Sequence, residues 1–142
     1  MKKSKPRIVK FVSYFFILQF CYAGISKLLD FENFQAQISA SPLLNKLSQF
    51  LLYTIIIVEF LVTGLLCYRK TRNIGLISSI ILMLIFSGYI ALLLSTSDHL
   101  PCSCGGILEK MSWHQHLYFN IGCVILSVIA LGLNLKYSRH AE

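Results

Sequence analysis

Four long apolar runs dominate the pattern of hydrophobic and polar positions along this chain of 142 residues. They cover about residues 8–29, 47–68, 74–94 and 117–135. Each run is close to the roughly 20 apolar residues that a helix needs to cross about 30 Å of hydrocarbon. The pattern therefore predicts an all-helical membrane protein built as a four-transmembrane-helix bundle. What remains is too short for a separate soluble domain, so we expect a single transmembrane domain over residues 1–142.

The first run also has features of a secretory signal peptide, because basic residues precede an apolar stretch. Cys21-Tyr-Ala23 is only a weak match to a small-x-small cleavage site. The apolar stretch is longer than the core of a signal peptide, which has about 7–15 residues. We therefore expect an uncleaved helix.

The segments between the runs differ in character. Residues 31–46 interleave aromatic and aliphatic side chains with polar ones and contain Ser41-Pro42, which interrupts a helix. This segment either lies in the headgroup region and caps the bundle, or it is an ordinary connecting loop. Residues 69–73 form a short polar turn, which predicts that the second and third helices are antiparallel neighbours.

The composition is that of a membrane protein, and the distribution of charge predicts how the protein is oriented in the membrane. Only 13% of the residues are charged, against about 25% in soluble domains. The net charge of +7 comes mostly from one side of the four-pass arrangement. The basic residues on that side are Lys2, Lys3, Lys5, Arg7, Lys10, Arg69, Lys70, Arg72, Lys136 and Arg139. By the positive-inside rule, both termini are expected in the cytoplasm, as in a multi-pass protein of a bacterial inner membrane. The basic excess thus indicates contact with membrane lipid and not with nucleic acid.

The strongest chemical signal is Cys102-Ser-Cys104, between the third and fourth runs, with Pro101 before it and Gly105 after it. The predicted topology places both thiols outside the cytoplasm, where disulfides persist. A disulfide between residues i and i+2 closes a small strained ring, so it is easily reduced. It is also a poor staple, since closing so short a loop removes little entropy from the unfolded chain.

This motif predicts thiol–disulfide exchange with an extracytoplasmic protein. Cys102 and Cys104 are the predicted catalytic residues: one attacks as a thiolate, and the other resolves the mixed disulfide. Gly105 leaves room for the partner's disulfide to approach. Nothing in the sequence singles out which cysteine attacks first.

A metal site is the alternative use of the same cysteines. Cys102 and Cys104 precede His114 and His116, and His99 lies just upstream. Two thiolates and two imidazoles satisfy tetrahedral zinc, or copper in a softer site. On this alternative the protein is a non-catalytic assembly or metal-binding subunit of a membrane complex.

Glu59 is the one charged residue inside the second run. A charge at that depth is costly, so we expect Glu59 to face the bundle interior and to be protonated or hydrogen-bonded. Gln19 lies at a similar depth, and Tyr22 and Ser87 are further candidate partners. Glu59 either carries a proton during exchange, binds a polar ligand group, or joins helices.

Other polar residues and cysteines allow two interpretations each. Lys27 and Asp30 form an interfacial anchor with a surface pair, or Lys27 approaches the thiols and raises their thiolate fraction. Cys21 and Cys123 are packing residues, or they meet and exchange with the loop. Cys67 lies near the cytoplasmic end, too far from the loop to take part.

The order and spacing of several motifs resemble the DoxX/MauE group of four-helix membrane proteins, most closely its MauE-like redox-associated members. The motifs are Ala23-Gly24-x-x-Lys27-Leu28-x-Asp30-Phe31-x-x-Phe34, Ser41-Pro42, Glu59 with Gly64, Cys102-x-Cys104-Gly105, and Asn120.

The resemblance implies a bundle akin to vitamin K epoxide reductase and a role in extracytoplasmic disulfide handling. In the MauE case, that role is to assist maturation of a periplasmic amine-oxidising enzyme, alongside a thioredoxin-like partner. It implies supporting roles for Glu59, Lys27, Asp30, Gly105 and Asn120. We expect no cofactor besides the redox-active disulfide: a quinone link is unsupported because the Cys-x-x-Cys spacing is absent. The resemblance is not extended to methylamine use, because no residue of this sequence indicates it.

Overall fold

The computed structural model describes residues 7–40, 45–96 and 112–139, and these residues are helical almost throughout. Helices α1 (Arg7–Leu29) and α2 (Phe31–Ala40) are followed by a short 3-10 turn at Asn45–Leu47. The chain continues with α3 (Ser48–Cys67), α4 (Arg72–Thr96) and α5 (Trp113–Arg139). No strand occurs in the described ranges, so the all-helical prediction is confirmed there. The predicted break at Ser41-Pro42 lies outside the described residues.

Four of the helical segments are long and apolar enough to cross a membrane. These spans are Arg7–Leu29, Asn45–Cys67, Arg72–Leu92 and Trp113–Arg139. They confirm the four predicted transmembrane helices, and the chain is an integral, multi-pass membrane protein. The sequence placed the fourth helix at about residues 117–135, whereas α5 extends four residues further at each end.

The bundle carries apolar side chains on its outside and a mixed interior. Large apolar residues are exposed on every spanning helix, as expected of a surface that faces lipid; examples are Phe11, Leu18, Phe50, Leu61, Ile85 and Ile125. Several of the fully buried side chains are polar instead, among them Ser13, Glu59, Ser79, Asn120 and Ser127. Polar groups facing the interior of a membrane bundle commonly hydrogen-bond between helices or serve a function.

Neighbouring helices in the bundle run antiparallel. Helix α1 packs along α3 and α4 along α5, while α3 and α4 are joined by a short turn and α5 also contacts α1. The space between the helices is filled by an apolar core that includes Phe16, Phe20, Val62, Leu66 and Leu76. We call the end where α1 and α4 begin the basic end, and the end where α3 and α5 begin the loop end.

Helix α2 folds back against the loop-end half of α3. The backbone hydrogen bonds continue through the junction, because Asp30 N–H donates to Ser26 O at 3.0 Å and Phe34 N–H to Asp30 O at 3.1 Å. Phe34 and Ile38 then pack with two α3 residues, Leu52 and Ile56. For residues 31–40, the structure therefore favours a packed cap over an irregular connection.

The turn between α3 and α4 brings the two backbones very close. Thr71 Oγ1 donates to Leu65 O at 2.8 Å and closes the turn. A Cβ atom added at Gly75 would lie 2.9 Å from Leu66 Cδ2 and 3.0 Å from the Leu66 backbone nitrogen. The predicted antiparallel pairing of these helices is confirmed, and it depends on a glycine at this position.

We expect Gly75→Ala to lower the free energy of unfolding by about 1–3 kcal/mol, because the methyl group meets backbone that cannot move aside. Gly88→Ala on the same helix is the matched control, since nothing lies within 4 Å of a Cβ there. That control should be neutral or stabilising by up to about 1 kcal/mol, because alanine favours a helix over glycine. Denaturant titration in detergent micelles measures both values. Equal effects for the two variants would show that Gly75 is not a contact point.

Candidate functional site

A buried ion pair joins α1 to α3 towards the loop end. Lys27 Nζ donates to Glu59 Oε1 at 2.6 Å, with side chains only 10% and 2% exposed. The Lys27 ammonium also lies 5.6 Å from the centre of the Phe34 ring, so α2 covers the pair. The second carboxylate oxygen, Glu59 Oε2, is buried without a hydrogen-bond partner among the described residues.

The ion pair contradicts the interpretation of Lys27 and Asp30 as an interfacial anchor with a surface pair. Lys27 is buried and binds Glu59, so its interpretation as an interfacial anchor with a surface pair is wrong. Asp30 is exposed and instead accepts hydrogen bonds from Asn33 Nδ2 at 2.8 and 3.0 Å. The physical reason is helical spacing: Phe20, Gly24 and Lys27 follow one another at i, i+4 and i+7 on the buried face of α1.

Two of the candidate partners of Glu59 are engaged elsewhere. Gln19 Oε1 accepts from Cys123 Sγ at 3.7 Å, which links α1 to α5. Ser87 Oγ donates to Met83 O of its own helix at 2.7 Å. The prediction that Glu59 faces the interior and has a polar partner is confirmed, but the ion-pair partner is a lysine eight residues beyond Gln19.

The first turns of α5 add two polar groups on the inward face of the bundle. Asn120 is 2% exposed, and its Nδ2 has no hydrogen-bond partner in the described part of the chain. His116, one helical turn earlier, is half-buried, and its Nδ1 is likewise buried without a partner there. Its ring stacks on Trp113 with the ring centres 6.5 Å apart. Lys27 near the end of α1 and His116 near the start of α5 both lie towards the loop end, on two helices that contact each other.

The two histidines of the alternative metal site lie on different sides of α5. His114 is exposed, whereas His116 faces inward. Residues two apart on a helix are separated by about 200° around its axis. One ion bound by both would therefore require the first turn of α5 to unwind. Within residues 7–40, 45–96 and 112–139, no group of three or more His, Cys, Asp or Glu side chains is placed to hold a metal ion.

The predicted catalytic residues Cys102 and Cys104, and Gly105 after them, lie outside the described residues. The helices that flank them end and begin at the loop end: α4 reaches Thr96, and α5 starts at Trp113. The connection that carries both cysteines is therefore attached at the end of the bundle where Lys27 and His116 are found, whereas Glu59 lies deeper, as the twelfth of the twenty residues of α3.

The remaining cysteines are free thiols in the structure. Cys123 is buried against Gln19, Cys21 is half-buried, and Cys67 is exposed near the basic end. Cys123 belongs to the buried apolar core, as its interpretation as a packing residue requires.

Comparison with known proteins gives one match. A model of the family described as "Methylamine utilisation protein MauE" matches residues 5–133. No curated protein and no solved structure matches the chain. The matched range contains the buried ion pair, both loop cysteines and the inward-facing residues of α5.

Removing one member of the ion pair should lower the free energy of unfolding far more than removing both. We expect Lys27→Met alone or Glu59→Leu alone to lower the free energy of unfolding by about 3–5 kcal/mol, because each leaves an unpaired buried charge. The double variant should recover most of this loss, since no charge remains to be buried. Denaturant titration of all four proteins gives the coupling energy.

Lys46→Met is the control for that cycle, because Lys46 is an exposed lysine at the same end of the bundle. Its effect should stay within about 0.5 kcal/mol, as for most surface substitutions. Additive losses in the double variant would contradict the ion pair.

Proposed function

The chain belongs to the MauE family of integral membrane proteins, and from this premise we propose that it exchanges electrons with a protein outside the cytoplasm through Cys102 and Cys104. The structural observation that carries the proposal is the buried Lys27–Glu59 pair, whose lysine lies two residues before α1 ends at the loop end. A bundle that needed only stability would be served as well by apolar residues there, since a buried ion pair is weak evidence for stability. Buried charge at the end where two thiols are attached instead suits a site that handles protons and electrons.

The proposed exchange needs only the two thiols and a disulfide of the partner. One thiolate attacks the partner's disulfide, forms a mixed disulfide and releases one partner sulfur as a thiolate. The second thiolate then attacks the mixed disulfide, which closes the Cys102–Cys104 ring and releases the partner as a dithiol. Two electrons have moved to the partner, and the reverse sequence moves them back.

Each attacking thiol must lose a proton, and each departing thiolate must gain one. Glu59 Oε2 and His116 Nδ1 are buried without a hydrogen-bond partner in the described part of the chain, so both have capacity to take up and return a proton. Lys27 is already neutralised by Glu59, and this argues against a direct role in stabilising a thiolate. In the proposal, the pair and His116 hold the proton while the sulfurs exchange.

The distribution of charge supports an extracytoplasmic loop. Basic residues gather at the basic end of the bundle, among them Arg7, Lys10, Arg69, Lys136 and Arg139, whereas the loop end has Lys27 and Lys46 in the described ranges. Under the positive-inside rule, the basic end and both termini lie in the cytoplasm of a cell whose inner membrane holds the protein. The cysteines then face the compartment in which disulfides persist.

The partner is proposed by its chemistry: an extracytoplasmic protein with an accessible disulfide or dithiol, either thioredoxin-like or an enzyme that needs disulfides to mature. The family's description refers to methylamine utilisation, and a partner in that process fits the proposal without being required by it. The wider likeness to DoxX proteins and to vitamin K epoxide reductase stays a prediction from the sequence.

Trapping the mixed disulfide tests the proposal. In Cys102→Ser or Cys104→Ser, one variant keeps the attacking cysteine and loses the resolving one. We expect that variant to accumulate a covalent complex with its partner that disappears on reduction, as read by non-reducing electrophoresis and mass spectrometry. Cys67→Ser keeps both loop cysteines and is the control, so it should accumulate no complex.

Capture by neither serine variant would contradict the exchange mechanism. The alternative, a metal-binding subunit, gives a different result in the same preparations: one equivalent of zinc or copper in untagged protein, lost when Cys102 or Cys104 is replaced. Elemental analysis of the wild-type protein separates the two functions, and we expect no stoichiometric metal.

A further inference from the structure

Arg72 is a buried cation at the basic end of the bundle. It is the first residue of α4 and is only 6% exposed. Its Nε and Nη1 atoms are buried and have no hydrogen-bond partner among the described residues. The guanidinium group thus lies at the edge of the bundle with most of its donors unused.

No acidic side chain of the described chain can neutralise Arg72. The acidic residues in those ranges are Asp30, Glu32 and Glu59, and all three lie on α2, at its junction with α1, or in the ion pair with Lys27. The charged neighbours at the basic end are cations: Arg7, Lys10, Arg69, Lys70, Lys136 and Arg139. Glu142 lies outside the described residues. A buried guanidinium without an anion is costly, so this position calls for an anionic ligand.

The surroundings of Arg72 suit a phosphate group. The first N–H groups of a helix have no acceptor within that helix, and Arg72 is the residue at which α4 begins. Asn134 Nδ2 donates to Asn73 Oδ1, which ties α5 to the start of α4. Asn134 Oδ1 is left buried without a partner in the described ranges, as an acceptor for a hydroxyl or ammonium group of a ligand.

We propose that Arg72 and the start of α4 bind the phosphate group of an anionic phospholipid at the basic end of the bundle. The planar fork of arginine forms paired hydrogen bonds to phosphate oxygens, which an ammonium group cannot match. The exposed basic residues around it attract anionic lipid to this end. A membrane supplies such headgroups at the depth where spanning helices begin, and free phosphate is the other source of the same chemistry. The site is independent of the loop cysteines.

Lipid binding by the purified full-length chain in an uncharged detergent tests this site. The probes are phosphatidylglycerol, phosphatidylcholine and inorganic phosphate, with bound ligand counted by native mass spectrometry and thermal unfolding followed in parallel. Wild-type protein should bind phosphatidylglycerol in preference to phosphatidylcholine and unfold at a higher temperature with it. We expect Arg72→Gln to bind phosphatidylglycerol about tenfold or more weakly, as charge-assisted hydrogen bonds are lost.

Arg69→Gln is the matched control, because it removes the same charge from an exposed position three residues earlier. It should stay within about twofold of wild type, since exposed charges contribute little. Arg72→Lys keeps the charge without the fork, is less disruptive to folding, and should bind with intermediate strength. If Arg72→Gln weakens the binding of inorganic phosphate, free phosphate is also a ligand of this site. If Arg72→Gln weakens the binding of phosphatidylglycerol alone, the lipid headgroup is the ligand. Equal losses in Arg69→Gln and Arg72→Gln, or no preference for phosphatidylglycerol in wild type, would overturn the proposal.

Discussion

The ion pair between Lys27 and Glu59 is the contact on which the arrangement of the loop end depends. Both groups are withdrawn from water within a lipid-facing bundle, so each is tolerable only in the presence of the other. The pair fixes which faces of α1 and α3 meet, and α2 covers it through Phe34. Apolar packing alone would allow these two helices to slide or rotate, because apolar side chains also surround them on the lipid side. A charge-assisted hydrogen bond of 2.6 Å between these two side chains forms in only one register of α1 against α3.

The two ends of the bundle have opposite chemistry. Towards the loop end, Lys27 is neutralised by Glu59, and His116 Nδ1 is buried without a partner in the described chain; the segment with Cys102 and Cys104 is attached at this end. At the basic end, Arg72 is buried without an anion among the described residues, and exposed cations surround it. Side-chain hydrogen bonds join helices in both regions: Cys123 donates to Gln19 between the two ends, and Asn134 donates to Asn73 at the basic end. We interpret the first end as the site of exchange and the second as the anchor in anionic lipid.

Much of the fold could be predicted from the sequence, because crossing a membrane imposes a length and an apolar composition that single runs of residues reveal. The four spanning helices and the tight turn, predicted at residues 69–73 and found at residues 68–71, follow from such local signals. The partner of Glu59 depends on a long-range contact, and depth alone pointed to Gln19. The i, i+4, i+7 spacing of Phe20, Gly24 and Lys27 held the missing information, since it places the lysine on the buried face. The fold of residues 31–40 as a packed helix likewise depends on α3, which lies later in the chain.

The central claim is that a lipid-embedded bundle presents a redox-active cysteine pair to the non-cytoplasmic side. Labelling of intact cells with a membrane-impermeant maleimide, followed by peptide mass spectrometry, tests it most directly. We expect Cys102 and Cys104 to be labelled in intact cells treated with a mild reductant, and Cys67, near the opposite end, to be labelled only after the membrane is permeabilised. Labelling of Cys67 in intact cells, or of the loop cysteines only after permeabilisation, would contradict it.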